Sequence, residues 1–411
     1  MLLEKMTSTE RYAVGSLAAI MSLRLLGLFM ILPVFALYAL QLTGSTPFLI
    51  GVAIGVYGLT QALFQIPFGM LSDHIGRKPV ILFGLLIFIA GSILSALSQH
   101  IGTMIIGRAL QGAGAVGSTI IAMLTDFTRV EQRSKAMAIN GITIGFSFSL
   151  AMVLGPVFAA WVQVNGIFWL AAGLGALGIV ILFMLVPASS WHSDTEPAPA
   201  QFFTLLKEPQ LLRLNLGVLI LHAIFTASFV VIPIALDKLA GISGKTQWTL
   251  YLPALAAAFV ISLALIAVAE KNQRVKPFFI AGIVMLGLAE CFLLIWAHNK
   301  WLSGAAIVLF FTAFSLLEAF LPSWVSRVAP VARKGTALGI YSCSQFLGIF
   351  VGGTLGGWLY GSISLLYVYL FCVILTLIWL PIASGMKSPL YSAPPRLSKP
   401  VRETNQMNLT T

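Results

Sequence analysis

Gly69-Met70-Leu71-Ser72-Asp73-His74-Ile75-Gly76-Arg77-Lys78-Pro79 is a short charged break in a chain that is otherwise strongly apolar. It separates two apolar runs, roughly 48–71 and 79–98, and is the first polar break with charges of both signs. Each run alone supplies the ~20 residues with which a helix crosses a ~30 Å hydrocarbon core. An acid at a helix end, glycines that permit close backbone approach and a basic pair suit a short loop at the cytoplasmic membrane surface.

Ten more apolar runs of this kind follow or precede it. With the first two they lie near 12–40, 48–71, 79–98, 101–125, 136–162 and 166–187, then 214–236, 247–269, 277–297, 301–325, 335–360 and 364–384. The 411 residues are 59% hydrophobic and only 9% charged, where a soluble domain carries about 25% charged residues. The expected fold is therefore an all-α integral membrane protein, because lipid satisfies no backbone group and only helices or closed barrels span it. Alternating strands of the barrel kind do not occur. Cys291, Cys343 and Cys372 sit apart inside apolar runs and read as small core residues.

The net charge of +11 would suggest nucleic acid in a soluble protein. Its distribution points to orientation instead. Nineteen of the 24 lysines and arginines fall in the tails and the even connections; only Lys238, Lys245 and Lys300 fall on the other side, and Arg24 and Arg108 lie within spans. This bias predicts that both termini are cytoplasmic, in a cell inner (plasma) membrane. A polar interval at 188–213 divides the spans six and six. The expected organisation is a bundle over 1–187, a cytoplasmic linker over 188–213 with a short interfacial helix at Gln201–Leu206, a second bundle over 214–385, and a disordered cytoplasmic tail over 386–411.

The halves repeat. Leu32-Pro33-Val34 answers Ile232-Pro233-Ile234, Asp73-x-x-x-Arg77 answers Glu270-x-x-x-Arg274, and Arg129-Val130 answers Arg327-Val328, at nearly one offset. Two pseudo-symmetric six-helix bundles related by an axis along the membrane normal form a transporter architecture, with the site between them near mid-depth.

Arg24, Arg108, His222 and Glu318 fall in spans 1, 4, 7 and 10, the equivalent helices of the repeat. Ionisable groups at that depth are costly unless they face a wet cavity or a partner. The spacing predicts that these spans line a central cavity, with Gln111 beside Arg108. His222 and Glu318 are the candidate proton carriers: histidine titrates near pH ~6.5, and a desolvated glutamate rises toward neutrality. Arginine keeps its charge, so Arg24 and Arg108 read as fixed charges. Glu290, near the outer end of span 9, is set apart from this group. In span 5, Gly155-Pro156 predicts a kinked, closely packed seam, and span 11 carries Gly348, Gly352, Gly353, Gly356 and Gly357. Walker, Gly-x-Ser-x-Gly and His-Glu-x-x-His patterns are absent from the sequence, so neither an enzyme nor a metal site is expected, and no cofactor beyond a proton gradient.

These residues resemble the motifs of the major facilitator superfamily, and within it the drug:proton antiporters with twelve spans. Gly69, Leu71, Asp73, Gly76, Arg77 and Lys78 match the loop 2–3 motif; Arg108-Ala109-Leu110-Gln111-Gly112-x-Gly114-Ala115 is similar to the span 4 motif; Gly155-Pro156 is similar to the antiporter motif, which here ends in Ala159-Ala160 instead of Gly-Gly. The wording is closest to the YajR-type branch. Members of that branch can carry a soluble C-terminal domain, and regulation through one is expected to be missing here.

The resemblance implies alternating access and proton-driven export of small amphipathic compounds by a functional monomer. Its partners would be substrate, protons and the lipid bilayer, with no nucleic acid. It implies gating by the loop 2–3 charges: Asp73 would cap span 11 near Gly335, Arg77 would pair with Asp126, and Glu270 and Arg274 would echo them. An uptake symporter or uniporter for a small metabolite is the alternative, and two cavity arginines would suit an anionic one. A non-transporting receptor or scaffold is a distant third.

Overall fold

The computed structural model describes residues 6–187, 204–330 and 333–388. The described residues form helices and no named strand, and these make up twelve spans. Span 1 is Ser8–Phe29 plus Leu32–Ala39, span 2 Pro47–Ile75, span 3 Arg77–Ala96, and span 4 Ile101–Ala113 plus Gly117–Asp126. Val130–Met184 is divided at Gln163, whose φ of 62° and ψ of 178° break the helix into spans 5 and 6. Spans 7 to 12 are Pro209–Lys238, Trp248–Lys271, Val275–Ile295, Lys300–Val328, Lys334–Ser362 and Leu365–Ser384. Of the expected linker helix, 204–206 is helical, with Leu205 buried; Gln201 to Phe203 and most of the linker and tail lie outside the described residues.

Local chemistry explains the breaks. Pro33 has no N–H to donate, and span 1 stops at Phe29 and restarts with that proline in its first turn. Its counterpart Pro233 leaves span 7 continuous. Nearby, the Gln247 amide donates to the Pro233 carbonyl at 2.7 Å. Gly76 alone joins spans 2 and 3, at φ 94°, a conformation that excludes a side chain. Thr7 and Glu10 form a reciprocal capping box at the start of span 1.

Span 11 presents two glycine faces. Gly348, Gly352 and Gly356 lie against span 7 at Leu219, Ala223 and Ala227. Gly353, Gly357 and Gly361 lie against span 2 at Gly51, Gly55 and Pro47. The first face holds the C-terminal bundle together; the second joins the two bundles. Contacts between spans 2 and 11 run from Pro47–Gly361 at one end of the molecule, through Tyr57–Phe346 with ring centroids 6.0 Å apart, to Cys343 Sγ, 3.7 Å from the Ala62 carbonyl near mid-depth. Toward the other, basic end, a Cβ on Gly339 or Gly335 would meet no heavy atom within 4 Å. The halves are thus sealed at the end away from the basic loops.

Candidate functional site

The site begins where that seal ends. His222 of span 7, Glu318 of span 10 and Gln345 of span 11 converge at mid-depth. His222 Nε2 lies 3.7 Å from Glu318 Oε2. The Gln345 amide nitrogen lies 2.8 Å from His222 Nε2 and 3.3 Å from Glu318 Oε1. His222 Nδ1 lies 3.1 Å from the Val218 carbonyl one turn back. A carbonyl only accepts, so Nδ1 carries the proton and Nε2 accepts from Gln345. Both amide hydrogens of Gln345 are then used, one on each partner. The histidine is buried, whereas the Glu318 side chain keeps 35% exposure.

One turn farther from the basic end, aromatic rings close the site. Phe225 and Phe314 stack with centroids 4.5 Å apart. Phe148 of span 5 lies 5.7 Å and 5.6 Å from them, and Phe29 of span 1 lies 5.0 Å from Phe148. Four spans from both halves meet in this layer, which is apolar above and protonatable below.

Arg24, Arg108 and Gln111 do not face a wet cavity as expected. They are buried inside the N-terminal bundle, the arginines at 1% and 3% exposure. Arg24 donates to Gln61 Oε1 at 2.6 Å and lies 5.5 Å from the Phe88 ring centre. Arg108 donates to Gln111 Oε1 at 2.6 Å, and its guanidinium sits 5.2 Å from the Tyr57 ring centre. Gln111 in turn donates to Ser92 at 2.8 Å, and Gln61 to Gln65. Amide oxygens and ring faces partner these cations without a carboxylate, although Arg24 Nε stays buried without a hydrogen-bond partner, and this lets the side chains turn inward. Tyr57 links the two clusters, because its hydroxyl is 3.5 Å from Gln61 Oε1.

The basic end carries its charges within each half. Arg77 pairs with Asp73 and, at 3.0 Å, with Asp126. Both acids belong to the N-terminal bundle, so this ion pair ties spans 2, 3 and 4 together. Asp73 makes no hydrogen bond to the start of span 11 among the described residues. The expected cap near Gly335 is not formed in this state, because the halves stand apart there. Lys78 donates to the Val186 carbonyl at 2.7 Å, which places a cation at the C-terminus of span 6. Gly69 packs on Ser118. In the second half Glu270 pairs with Arg327 at 3.0 Å and not with Arg274, which stands at the N-cap of span 9. Gly155 rests against the Met30 carbonyl at the break in span 1, with Pro156 following it inside span 5.

Sequence reasoning missed Gln345, Gln61, Tyr57 and Glu10. Gln345 was visible as the polar end of Ser342-Cys343-Ser344-Gln345 in an otherwise apolar span, and Gln61 and Gln65 as an i,i+4 pair on one helix face. Glu10 anchors Arg129 at 3.1 Å across the first half.

Known proteins share this frame. The model of the Major Facilitator Superfamily matches residues 17–274 and 268–406. The inner membrane transport protein YajR of Escherichia coli K12 is 43% identical over 399 residues, covering 96% of this chain and 88% of that protein. The quinolone resistance protein NorA of Staphylococcus aureus MSSA476 is 25% identical over 357 residues, covering 82% of this chain and 86% of that one. A bacterial homologue of the human lysosomal transporter Spinster, solved in an inward-facing and occupied conformation, has a TM-score of 0.73 at 14% identity, covering 95% of this chain and 100% of that one. Twelve spans, paired bundles and a match that reaches across both halves establish that the chain belongs to the major facilitator superfamily of transporters.

Proposed function

We propose that this transporter exports small amphipathic compounds in exchange for protons, with the basic end in the cytoplasm and the present state open to it. The carrying observation is the His222–Gln345–Glu318 cluster beneath the aromatic layer. A proton arriving at His222 Nε2 turns an acceptor into a donor. Gln345 must then leave it, and Glu318, 3.7 Å away, becomes the partner. Gln345 rides on span 11, whose other face seals the far end against span 2. Proton binding therefore acts on the element that holds the halves shut. The aromatic rings offer cargo an apolar, weakly directional surface. The likeness to a quinolone resistance protein supports the direction of transport.

When the halves rock, Asp73 is placed to exchange Arg77 for the free N–H groups at the start of span 11, which favour a carboxylate. The burial of both arginines removes the ground for an anionic cargo, whichever the direction of transport. The test uses purified protein in phospholipid vesicles with ethidium as cargo. An imposed pH gradient is expected to drive ethidium movement, and Glu318→Gln and His222→Ala are expected to abolish the gradient dependence. Ethidium movement that ignores the gradient in the unmodified protein would refute proton coupling.

A further inference from the structure

A second acid lies in the C-terminal bundle, outside the site just described. Glu290 of span 9 is fully buried. Its Oε1 is 2.6 Å from Ser228 Oγ of span 7, and the same Oγ is 2.8 Å from the Ile224 carbonyl. A hydroxyl has one hydrogen to give, and a carbonyl can only accept. An ionised Glu290 would accept as well, leaving one of these two contacts without a hydrogen. With Glu290 protonated, both are satisfied: the acid donates to Ser228, and Ser228 donates to Ile224.

The surroundings agree. Ser228 meets the acid from span 7, Tyr369 and Cys372 lie near it from span 12, and Tyr251 of span 8 lies near Tyr369. Among the described residues no lysine, arginine or histidine pairs with Glu290, and its Oε2 and the Tyr251 hydroxyl are buried without partners. An ionised carboxylate left so is strongly unfavourable. A small cavity lies about one turn beyond Glu290, lined by Leu293 of span 9, Ala297 just past its end, Tyr369, Ser303 and Ile232. Its lining residues Leu236, Ala297 and Ser303 place it toward the sealed end of the molecule.

We propose that Glu290 is a second proton-binding group, which ties span 9 to span 7 through Ser228 and exchanges its proton through this cavity with the membrane face opposite the basic end. It is independent of the export reading, since it concerns a bound proton and not a cargo. Span 7 also carries His222, six residues from Ser228, so the two protons act on one helix. The test is infrared difference spectroscopy of the protein in phosphatidylcholine vesicles during a pH titration, with no cargo added. The unmodified protein and Glu318→Gln are expected to show a protonated-carboxyl carbonyl band at neutral pH that Glu290→Gln lacks. Ser228→Ala should shift that band by removing its acceptor, and raising the pH should bleach it reversibly. The Gln variant keeps a donor for Ser228 and is expected to fold. A neutral-pH band set unchanged by Glu290→Gln would overturn the proposal. A Glu290 band that persists throughout alkaline titration would overturn the exchange.

Discussion

Gly353→Ala is expected to unseal the end of the molecule away from the basic loops. The added Cβ would lie 2.6 Å from the Gly51 carbonyl oxygen, 2.9 Å from Gly55 N and 3.0 Å from Gly55 Cα. All three are backbone atoms, so no side chain can rotate aside. Restoring ordinary contact at ~3.4 Å or more requires the bundles to part by about 0.8 Å. Overpacking of this kind costs about 1–3 kcal/mol. The cost falls on the sealed state alone, because the seam is undone when the halves rock the other way. At tenfold per ~1.4 kcal/mol, the equilibrium should shift roughly 5- to 140-fold toward the state open at the far end. Spin labels at Gln41→Cys and Lys300→Cys, on exposed positions of the two halves at that end, report the separation in a background without the native cysteines. A longer distance population should grow in Gly353→Ala and not in Gly173→Ala, where a Cβ meets nothing within 4 Å. An unchanged distance distribution in Gly353→Ala would refute the account of span 11 as the seal.

Three further outcomes follow from the side-chain geometry. Gln345→Leu removes the shared donor of His222 and Glu318; gradient-driven ethidium transport should fall roughly 10-fold or more, from the ~1.5–3 kcal/mol typical of charged hydrogen bonds, and a rate equal to that of the unmodified protein would contradict the shared-amide mechanism. Gln61→Leu strands the buried Arg24 guanidinium and should lower stability by about 2–3 kcal/mol, read as a lower thermal midpoint, whereas Gln61→Glu should recover it; equal loss in both would show that packing, not charge, sets the effect. Asp126→Asn breaks one arm of a partly exposed ion-pair network within one bundle, where Arg77 keeps Asp73, and should cost under ~1 kcal/mol. Asp73→Asn should instead change the two-state distribution reported by the same spin labels; identical distributions for Asp73→Asn and the unmodified protein would remove Asp73 from the gate.

Span number, the six-and-six division and the depth of the ionisable groups were legible because lipid imposes them residue by residue. Pro33 and Gly76 marked real breaks because each carries a backbone constraint in its own chemistry. What could not be read was direction around a helix. Arg24 and Arg108 lie at cavity depth yet turn inward, since Gln61, Gln111, Tyr57 and Phe88 outcompete water for them. The repeat misled at Glu270, where Arg327 and not Arg274 is within reach. Glu290 could be placed by depth, but the proton count at Ser228 needed distances.

The inward turn of the two arginines bears on how the membrane potential acts on the cycle. Their charges are locked to one bundle at mid-depth by amides and ring faces of that same bundle. A body that tilts about its own centre carries such charges through little of the transmembrane field. One elementary charge taken across the whole field is worth ~2.3 kcal/mol per 100 mV, and these two contribute almost none of it. The voltage dependence of turnover would then report net charge moved with the cargo and any coupled ion, rather than these two arginines.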